Sequence, residues 1–228
     1  MFNLHPNFSY QIHIVGEEKQ PVLIVDNFLA QPQLLVDFCC ENSSFSAVDT
    51  FYPGFRMQAP EEYLIAISEY LRPIIFNTFG DEGAISRLFS LFSLITTPPG
   101  KLKPEQAVPH FDSDQMTDLA SVYYLCDSRF GGTSLYRHKE TGFEFVDTER
   151  RTIYMDTLLK SLHQGKIKRE YMNGSNELFE QIYSVPSAFN RLVMYRSTSL
   201  HSGNISKDFQ FNADPKLGRL TLNTFLTR

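Results

Sequence analysis

The sequence predicts a mainly β protein with flanking helices, and three observations predict it. From Leu88 onward, short segments rich in β-branched and aromatic residues alternate with turn signals, which is typical of a β-sandwich or barrel. Before that point, apolar residues recur at helical spacing. The chain contains no internal repeat, low-complexity tract or Gly/Ser-rich linker. We therefore expect residues 1–228 to form a single domain, in which 1–85 supply an N-terminal strand and supporting helices and 86–228 supply the β core.

The N-terminal part is predicted to hold one strand and two helices. Pro21–Val25 is a short apolar run typical of a buried strand, and Gln31–Glu41 places its apolar residues on one stripe of a helix. A second helix is predicted from Pro60 to about Phe79. Pro73 is expected to kink or split this helix, because proline lacks the N–H that an interior turn requires.

Six strands and a helical insertion are predicted in the C-terminal part. The strands are Leu88–Thr97, Ala120–Cys126, Thr133–Arg137, Phe143–Val146, Arg191–Ser197 and Arg219–Leu226. The interruption at 147–185 has helical spacing, a stop at Gly165 and a second short helix around Glu177–Tyr183. Long connections tend to carry function, so this insertion is expected to act as a lid. Together with the segment Ser43–Gln58, it is where we expect substrate specificity to be determined.

The last predicted strand has one apolar and one polar face. Leu220, Leu222 and Leu226 share the first face, and Arg219, Thr221, Asn223 and Phe225 share the second. If the leucines pack on the helices, the polar face lines the interior of the β structure. A buried arginine there is costly unless it is paired with an anion.

Composition excludes several classes of protein. The chain has 228 residues, 42% of them hydrophobic, and is long enough to fold without disulfides or a structural metal, so any metal is expected to be functional. A net charge of −5 disfavours a nucleic-acid-binding protein. Cys39, Cys40 and Cys126 are an odd set unlike a secreted disulfide framework. With neither a signal-peptide pattern nor a long apolar run, the sequence indicates a soluble cytoplasmic protein with no membrane anchor.

The strongest candidate for chemistry is His110-Phe111-Asp112 together with His201. In a strand, residues i and i+2 point the same way, so His110 and Asp112 can offer an imidazole and a carboxylate to one ion. His201, from a distant strand, completes a set of two histidines and one carboxylate, which leaves open positions suited to ferrous iron. A second His-x-Glu match, His138-Lys139-Glu140, lies in a charged run and is interpreted as a solvated hairpin turn.

The order of the surrounding motifs resembles the Fe(II)/2-oxoglutarate-dependent oxygenase superfamily, and is most similar to its prolyl-hydroxylase-like branch. His-x-Asp is followed by the strand Ala120–Cys126, by Gly131-Gly132, by the second histidine and by a basic residue near the C-terminus. The resemblance covers roughly residues 86–228 and implies a double-stranded β-helix, or jelly roll. The early segment Val22–Leu29 is also similar to the opening strand of many such enzymes.

The resemblance implies roles for five residues. His110, Asp112 and His201 would be the iron ligands, Arg219 would bind the distal carboxylate of 2-oxoglutarate, and Tyr124 would donate its hydroxyl to that carboxylate. Arg219 follows His201 by 18 positions, whereas the family keeps about ten, and an inserted loop at Lys207–Leu217 accounts for the difference.

The reaction implied by the resemblance is hydroxylation. The cofactors would be Fe(II), 2-oxoglutarate as cosubstrate and O2, and the products would include succinate and CO2. The substrate would be an unidentified small molecule or protein side chain, without nucleic-acid or membrane partners, and the oligomeric state is open. Because the carboxylate ligand Asp112 is present, hydroxylation is favoured over halogenation.

Two alternatives stay open on the residues alone. One is a non-catalytic metal-binding jelly-roll module that senses or binds a ligand. The other is a zinc hydrolase, because two histidines and one aspartate also hold zinc with an open site. Arg56, which follows a turn, could reach an acidic substrate, but it is interpreted as a surface arginine.

Overall fold

The computed structural model describes residues 2–42, 44–47, 51–80 and 85–228, and within these ranges the protein is mainly β. The helices are α1 (Gln33–Glu41), α2 (Glu61–Phe79) and α3 (Arg151–His163). The strands are β1 (Ser9–Val15), β2 (Gln20–Asp26), β3 (Ser46–Ala47), β4 (Gly54–Gln58), β5 (Arg87–Ile95), β6 (Leu119–Tyr124), β7 (Thr133–His138), β8 (Phe179–Val185), β9 (Arg191–Arg196), β10 (His201–Gly203) and β11 (Leu220–Thr227).

The strands form two antiparallel sheets. The larger sheet has eight strands in the order β1-β2-β9-β6-β11-β5-β4-β3, and the smaller has three in the order β10-β7-β8. Neighbours in the larger sheet are mostly distant in sequence, as where β11 pairs with both β5 and β6. The N-terminal strands thus extend the same sheet that contains the C-terminal strand.

The alternation predicted for the last strand is confirmed in β11. Leu220, Leu222 and Leu226 are buried in the main hydrophobic core, which also contains apolar residues of α1 and α2. The opposite face of β11 carries Asn223 and Phe225, which line a cavity. Because side chains alternate along a strand, one strand anchors the helices and forms the cavity wall at the same time.

Most predicted elements are confirmed, and two are wrong. Phe143–Val146 is not a strand, because only Phe145 forms an isolated bridge, to Ser199. The predicted helix at Glu177–Tyr183 is instead strand β8, which pairs with β7 along its length. The segment contains Ile182, Tyr183 and Val185, which suit a strand, and pairing with an existing edge decides between the two structures.

Helix α2 runs through Pro73 without being split. Pro73 lies on the exposed side of the helix, where the carbonyl four residues earlier can turn toward water. The opposite side, including Tyr63, Ile67 and Leu71, is buried in the core. Tertiary packing along this face supports the helix on both sides of the proline.

Strands β1, β3, β4 and β8 were not predicted, and β10 was expected only as the strand that carries His201. Strands β3 and β4 lie within the segment expected to be a loop, Ser43–Gln58, of which residues 43 and 48–50 fall outside the described residues. Strand β4 pairs with β5 and brings Arg56 opposite Ser93. No helix in the described part of the chain is long and apolar enough to cross a membrane.

The interpretation of His138 as a solvated residue is wrong. The turn is present after β7, but the His138 side chain is fully buried against the rings of Tyr154 and Phe179. Its Nδ1 lies 2.9 Å from the Thr141 hydroxyl, and its Nε2 has no hydrogen-bond partner among the described residues. The burial cannot be predicted from the sequence, because the neighbours of His138 are charged. Their side chains point outward, while that of His138 points inward.

We expect His138 to make the stability of the fold sensitive to acid. Burial lowers the pKa of His138 below its ordinary value of 6.5. A histidine with a depressed folded pKa contributes stability that is complete above the unfolded pKa and is lost as the pH falls below it. His138→Gln should therefore flatten the decline in urea-unfolding free energy between about pH 7.5 and about pH 5. His163→Gln, at the exposed end of α3, is the matched control, and equal slopes in both variants would contradict this account.

Candidate metal centre

Backbone pairing brings the two halves of the predicted ligand set together. His110 and His201 form an isolated antiparallel bridge, in which each residue's N–H donates to the carbonyl of the other at 2.9 Å. The Asp112 N–H donates to the Ser197 carbonyl at 2.8 Å. His110 and Asp112 thus lie in the loop between β5 and β6 rather than in a regular strand, which corrects the prediction, but the same residues still converge.

The three side chains place their ligand atoms close to one another. The His201 Nε2 lies 3.4 Å from one Asp112 carboxylate oxygen, and the His110 Nε2 lies 3.8 Å from the other. One ligand atom from each residue falls within 4.8 Å of the others, and the two imidazole centroids are 4.3 Å apart. Two imidazoles and a carboxylate on one side of an open space suit a divalent transition metal with free positions.

His201 is held in the tautomer that a metal ligand needs. Its Nδ1 lies 2.9 Å from the Ser199 carbonyl oxygen, which accepts only from a protonated nitrogen. The lone pair of the neutral ring is therefore on Nε2, the atom that faces Asp112. His201 is also buried, with its ring centroid 4.6 Å from that of Tyr195.

His110 is kept neutral by its surroundings. About half of its side-chain surface is accessible, at 51%, but that surface opens into a concave cavity rather than onto a convex face. Desolvation there, together with the neighbouring His201, lowers the pKa of His110 to about 4. A neutral imidazole is the form that binds a metal ion.

The three residues open into a cavity of about 800 Å³. Its lining comes from both sheets and from α3. The larger sheet contributes Arg56, Phe89, Ala120, Val122, Tyr195, Asn223 and Phe225, the smaller contributes Thr133, His201, Ser202 and Gly203, and α3 contributes Arg151, Tyr154, Met155 and Leu158. Helix α3 thus covers one side of the cavity, in the region where the sequence predicted a helical lid.

Arg219 lies at the wall of this cavity and is buried, at 4% exposure. Its Nε donates to the Phe130 carbonyl at 3.1 Å and its Nη2 to the Gly132 carbonyl at 2.9 Å. Among the described residues it forms hydrogen bonds to carbonyls and no ion pair with a carboxylate. The guanidinium is thus fixed in direction while its charge is available to an anion.

The Gly131-Gly132 segment allows this arrangement. A Cβ on Gly131, which has a φ of +71°, would lie 1.7 Å from the Asn204 carbonyl oxygen. A Cβ on Gly132 would lie 1.9 Å from the Val185 carbonyl oxygen. Only glycine permits so close an approach between this segment and its neighbours. The close packing fixes the position of the Gly132 carbonyl, which accepts a hydrogen bond from Arg219.

Tyr124 lies next to Arg219, whose guanidinium carbon is 5.7 Å from the centre of the Tyr124 ring. Its hydroxyl donates to the Thr133 hydroxyl at 2.6 Å. Burial raises the pKa of Tyr124 to about 12, so the phenol stays protonated. The expected donation to a cosubstrate carboxylate stays a prediction.

The interpretation of Arg56 as a surface residue is wrong. Arg56 belongs to β4 and lines the cavity, with its guanidinium carbon 4.3 Å from the centre of the Tyr52 ring. The Tyr52 hydroxyl lies beside those of Ser93 and Thr221, in the field of both Arg56 and Arg219. The alternating pattern of Gly54–Gln58 is too short to identify a strand from sequence, so nothing there indicated that Arg56 points inward.

Asp114, two residues after the candidate ligand Asp112, has a separate partner. Its carboxylate accepts from Arg151 on α3 at 2.8 Å and from the Gln115 side-chain amide at 2.8 Å. These two hydrogen bonds hold the pKa of Asp114 below its usual range. The pair therefore links the ligand loop to the helix that covers the cavity.

Solved structures align with this chain at low sequence identity. SnoK, a non-heme alpha ketoglutarate dependent carbocyclase from nogalamycin biosynthesis, aligns with a TM-score of 0.52 and 9% identity over 92% of this chain and 80% of its own. The epimerase SnoN, also non-heme and alpha ketoglutarate dependent, aligns over 96% of this chain and 77% of its own, with a TM-score of 0.44 and 10% identity.

HygX from Streptomyces hygroscopicus, solved with nickel, 2-oxoglutarate and hygromycin B bound, aligns over 96% of this chain and 82% of its own, with a TM-score of 0.45 and 10% identity. At these identities the likeness concerns the fold, and SnoK is the neighbour whose TM-score supports it.

No curated protein sequence matches the chain. A protein-family model does match it, over residues 6–226, which is nearly its whole length. That model describes a family of unknown function, DUF6445, and the chain belongs to this family.

Proposed function

We propose that this protein is an Fe(II)- and 2-oxoglutarate-dependent dioxygenase with a double-stranded β-helix core, of the prolyl-hydroxylase-like branch. The observation that carries the proposal is the convergence of His110, Asp112 and His201 in one cavity with a buried arginine that has no carboxylate partner among the described residues. The fold shared with SnoK supports the same class.

His110, Asp112 and His201 would hold Fe(II), and neighbouring backbone groups orient the two histidine rings. Two imidazoles and one carboxylate balance part of the ion's charge and leave positions for other ligands. When bound, the iron and 2-oxoglutarate supply the oxidising power for hydroxylation, with release of succinate and CO2. The Ser199 carbonyl fixes the His201 ring, and the His110–His201 bridge keeps the two imidazoles on one side of Asp112.

Arg219 would bind the distal carboxylate of 2-oxoglutarate. Its Nε and Nη2 are engaged by backbone carbonyls, so the side chain is oriented before a ligand arrives. An oriented guanidinium in a buried site forms a strong charge-assisted hydrogen bond with a carboxylate. Tyr124, with its ring against Arg219, would stay protonated as a neighbouring donor.

The remaining features of the chain are compatible with a small-molecule or protein side-chain substrate. The cavity walls carry both aromatic and polar groups, and the net charge of −5 disfavours nucleic acid. Cys39, Cys40 and Cys126 are all free thiols, which fits the cytoplasm. We infer a single domain in which α3 acts as the lid.

Asp112→Ala should weaken metal binding by more than about tenfold, because it removes the anionic ligand and leaves two neutral imidazoles. Isothermal titration of the metal-free protein with Mn(II) under anaerobic conditions measures this change. Asp114→Asn is the matched control, because Asp114 is paired with Arg151, and its affinity should stay within about twofold. Similar affinities in wild type and Asp112→Ala would exclude Asp112 as a ligand.

Arg219→Gln should weaken binding of 2-oxoglutarate by about tenfold to a hundredfold, because it removes a charge-assisted hydrogen bond in a buried site. The visible charge-transfer band that a chelated 2-oxo acid gives with Fe(II) reports this binding in anaerobic titrations. Arg129→Gln, an exposed arginine paired with Asp127, is the control. Tight metal binding with no band in the wild type would favour the binding module or the zinc hydrolase instead.

Succinate formation should depend on Asp112. With ascorbate supplying the electrons that a substrate would otherwise give, wild-type protein with Fe(II), O2 and 2-oxoglutarate is expected to release succinate, and Asp112→Ala to release none above background. Quantifying succinate by mass spectrometry tests this. Full turnover in Asp112→Ala would contradict the proposed site.

A further inference from the structure

We propose that the substrate of this protein carries a carboxylate on an apolar body, and that Arg56 binds that carboxylate inside the cavity. The inference rests on the proposed function, because it assigns Arg56 only after Arg219 and the metal residues have been assigned. It concerns a residue that the sequence motifs do not mark.

The position of Arg56 in the sheet directs its side chain into the cavity. Arg56 on β4 pairs with Ser93 on β5, Ser93 pairs with Thr221 on β11, and Thr221 pairs with Tyr124 on β6. Directly paired residues of antiparallel strands project from the same face of a sheet. Arg56 thus shares a row with residues of the cavity face.

The charge of Arg56 is incompletely satisfied by the protein. Its Nε is buried and has no hydrogen-bond partner within the described ranges. The Tyr52 ring covers one face of the guanidinium at 4.3 Å, and Asp112 is the carboxylate whose charge acts on it. Desolvation lowers the pKa of Arg56. A half-buried guanidinium with a buried, unpartnered Nε favours a bound anion.

Metal binding would remove the compensating charge that the described residues offer to Arg56. Asp112 offsets Arg56 only while its carboxylate is not committed to a metal ion. Once Asp112 is a ligand, and Arg219 has taken the distal carboxylate of the cosubstrate, Arg56 is the cation left without an anion among the described lining residues. Of the other charged lining groups, Asp114 and Arg151 neutralise each other, and Glu105 is exposed to solvent. The loaded cavity thus favours one further anion, next to Arg56.

Other walls of the same cavity favour an apolar body for that anion. Phe89 and Phe225, stacked with centroids 5.1 Å apart, line the cavity on the same sheet, and Met155 and Leu158 face it from α3. Phe51 lines it as well and is 72% exposed. Aromatic and aliphatic surfaces of this kind bind the hydrocarbon part of a ligand, while a few polar groups orient it. A planar guanidinium selects a carboxylate by two parallel hydrogen bonds.

Paired ligands that differ only in charge test the assignment. The probes are ω-phenylalkanoates from phenylacetate to 6-phenylhexanoate, each compared with its neutral amide. Isothermal titration is performed on anaerobic protein loaded with Mn(II) and 2-oxoglutarate, so that no turnover occurs. For at least one pair, the carboxylate should bind the wild type about tenfold to a hundredfold more tightly than the amide.

Arg56→Gln should abolish this preference while leaving affinity for the amides unchanged. Arg56→Lys, which keeps the charge but not the planar fork, should retain part of it. The matched control is Arg129→Gln, which removes an exposed guanidinium that already has a carboxylate partner, Asp127, outside the cavity and should keep the full preference. Thermal unfolding of each variant checks that the fold is intact, and Arg56→Lys keeps the test available if the Gln variant is unstable.

Three results would overturn the proposal. The first is equal affinity for carboxylate and amide in the wild type across all pairs, and the second is an equal loss of preference in Arg56→Gln and Arg129→Gln. The third is a loss of 2-oxoglutarate affinity in Arg56→Gln as large as in Arg219→Gln, which would make Arg56 a cosubstrate residue. Failure of the proposed function itself is separate, because it would appear as a missing charge-transfer band in the wild-type protein.

Discussion

The site depends on the backbone bridge between His110 and His201. The loop from β5 to β6 contains only short turns of 3₁₀ helix, so little regular structure fixes His110 and Asp112. The two hydrogen bonds of the bridge, with the bond from the Asp112 N–H to Ser197, tie this loop to the chain entering β10. Because these bonds involve the ligand residues themselves, the loop cannot shift without separating the imidazoles. The small sheet and the cavity are built around this contact.

Strand β11 joins the hydrophobic core to the cavity that holds the candidate metal site. Its leucines are buried with the helices, and its opposite face forms the wall of the cavity. Arg219, just before the strand, is therefore placed by a strand buried in the main core, and carbonyls of the Phe130–Gly132 segment direct its guanidinium. A buried arginine without a carboxylate partner among the described residues is costly, and its fixed guanidinium is available to an anion. Arg56 on β4 also lines the cavity, and its Nε has no hydrogen-bond partner among the described residues.

Much of the fold, and the three residues that the structure brings together, could be predicted from sequence for physical reasons. Long periodic segments such as β11 and α2 follow from alternation and helical spacing, and residue type singles out His110, Asp112 and His201 as candidate metal ligands. Sequence alone favours a surface position for Arg56, because β4 is too short to show a strand pattern and is stabilised by pairing with β5. Sequence alone favours an exposed His138, because its neighbours are charged and one inward-facing residue produces no pattern of its own. Strand β8 was mistaken for a helix because the edge of β7 lies far away in sequence.

The most direct test of the central claim is a crystal structure of the protein prepared anaerobically with Fe(II) and 2-oxoglutarate, with anomalous data at the iron edge. The account predicts one iron peak bonded to His110, Asp112 and His201, with the cosubstrate's distal carboxylate on Arg219 and Arg56 unliganded. An iron peak elsewhere, or a cosubstrate bound away from Arg219, would contradict it.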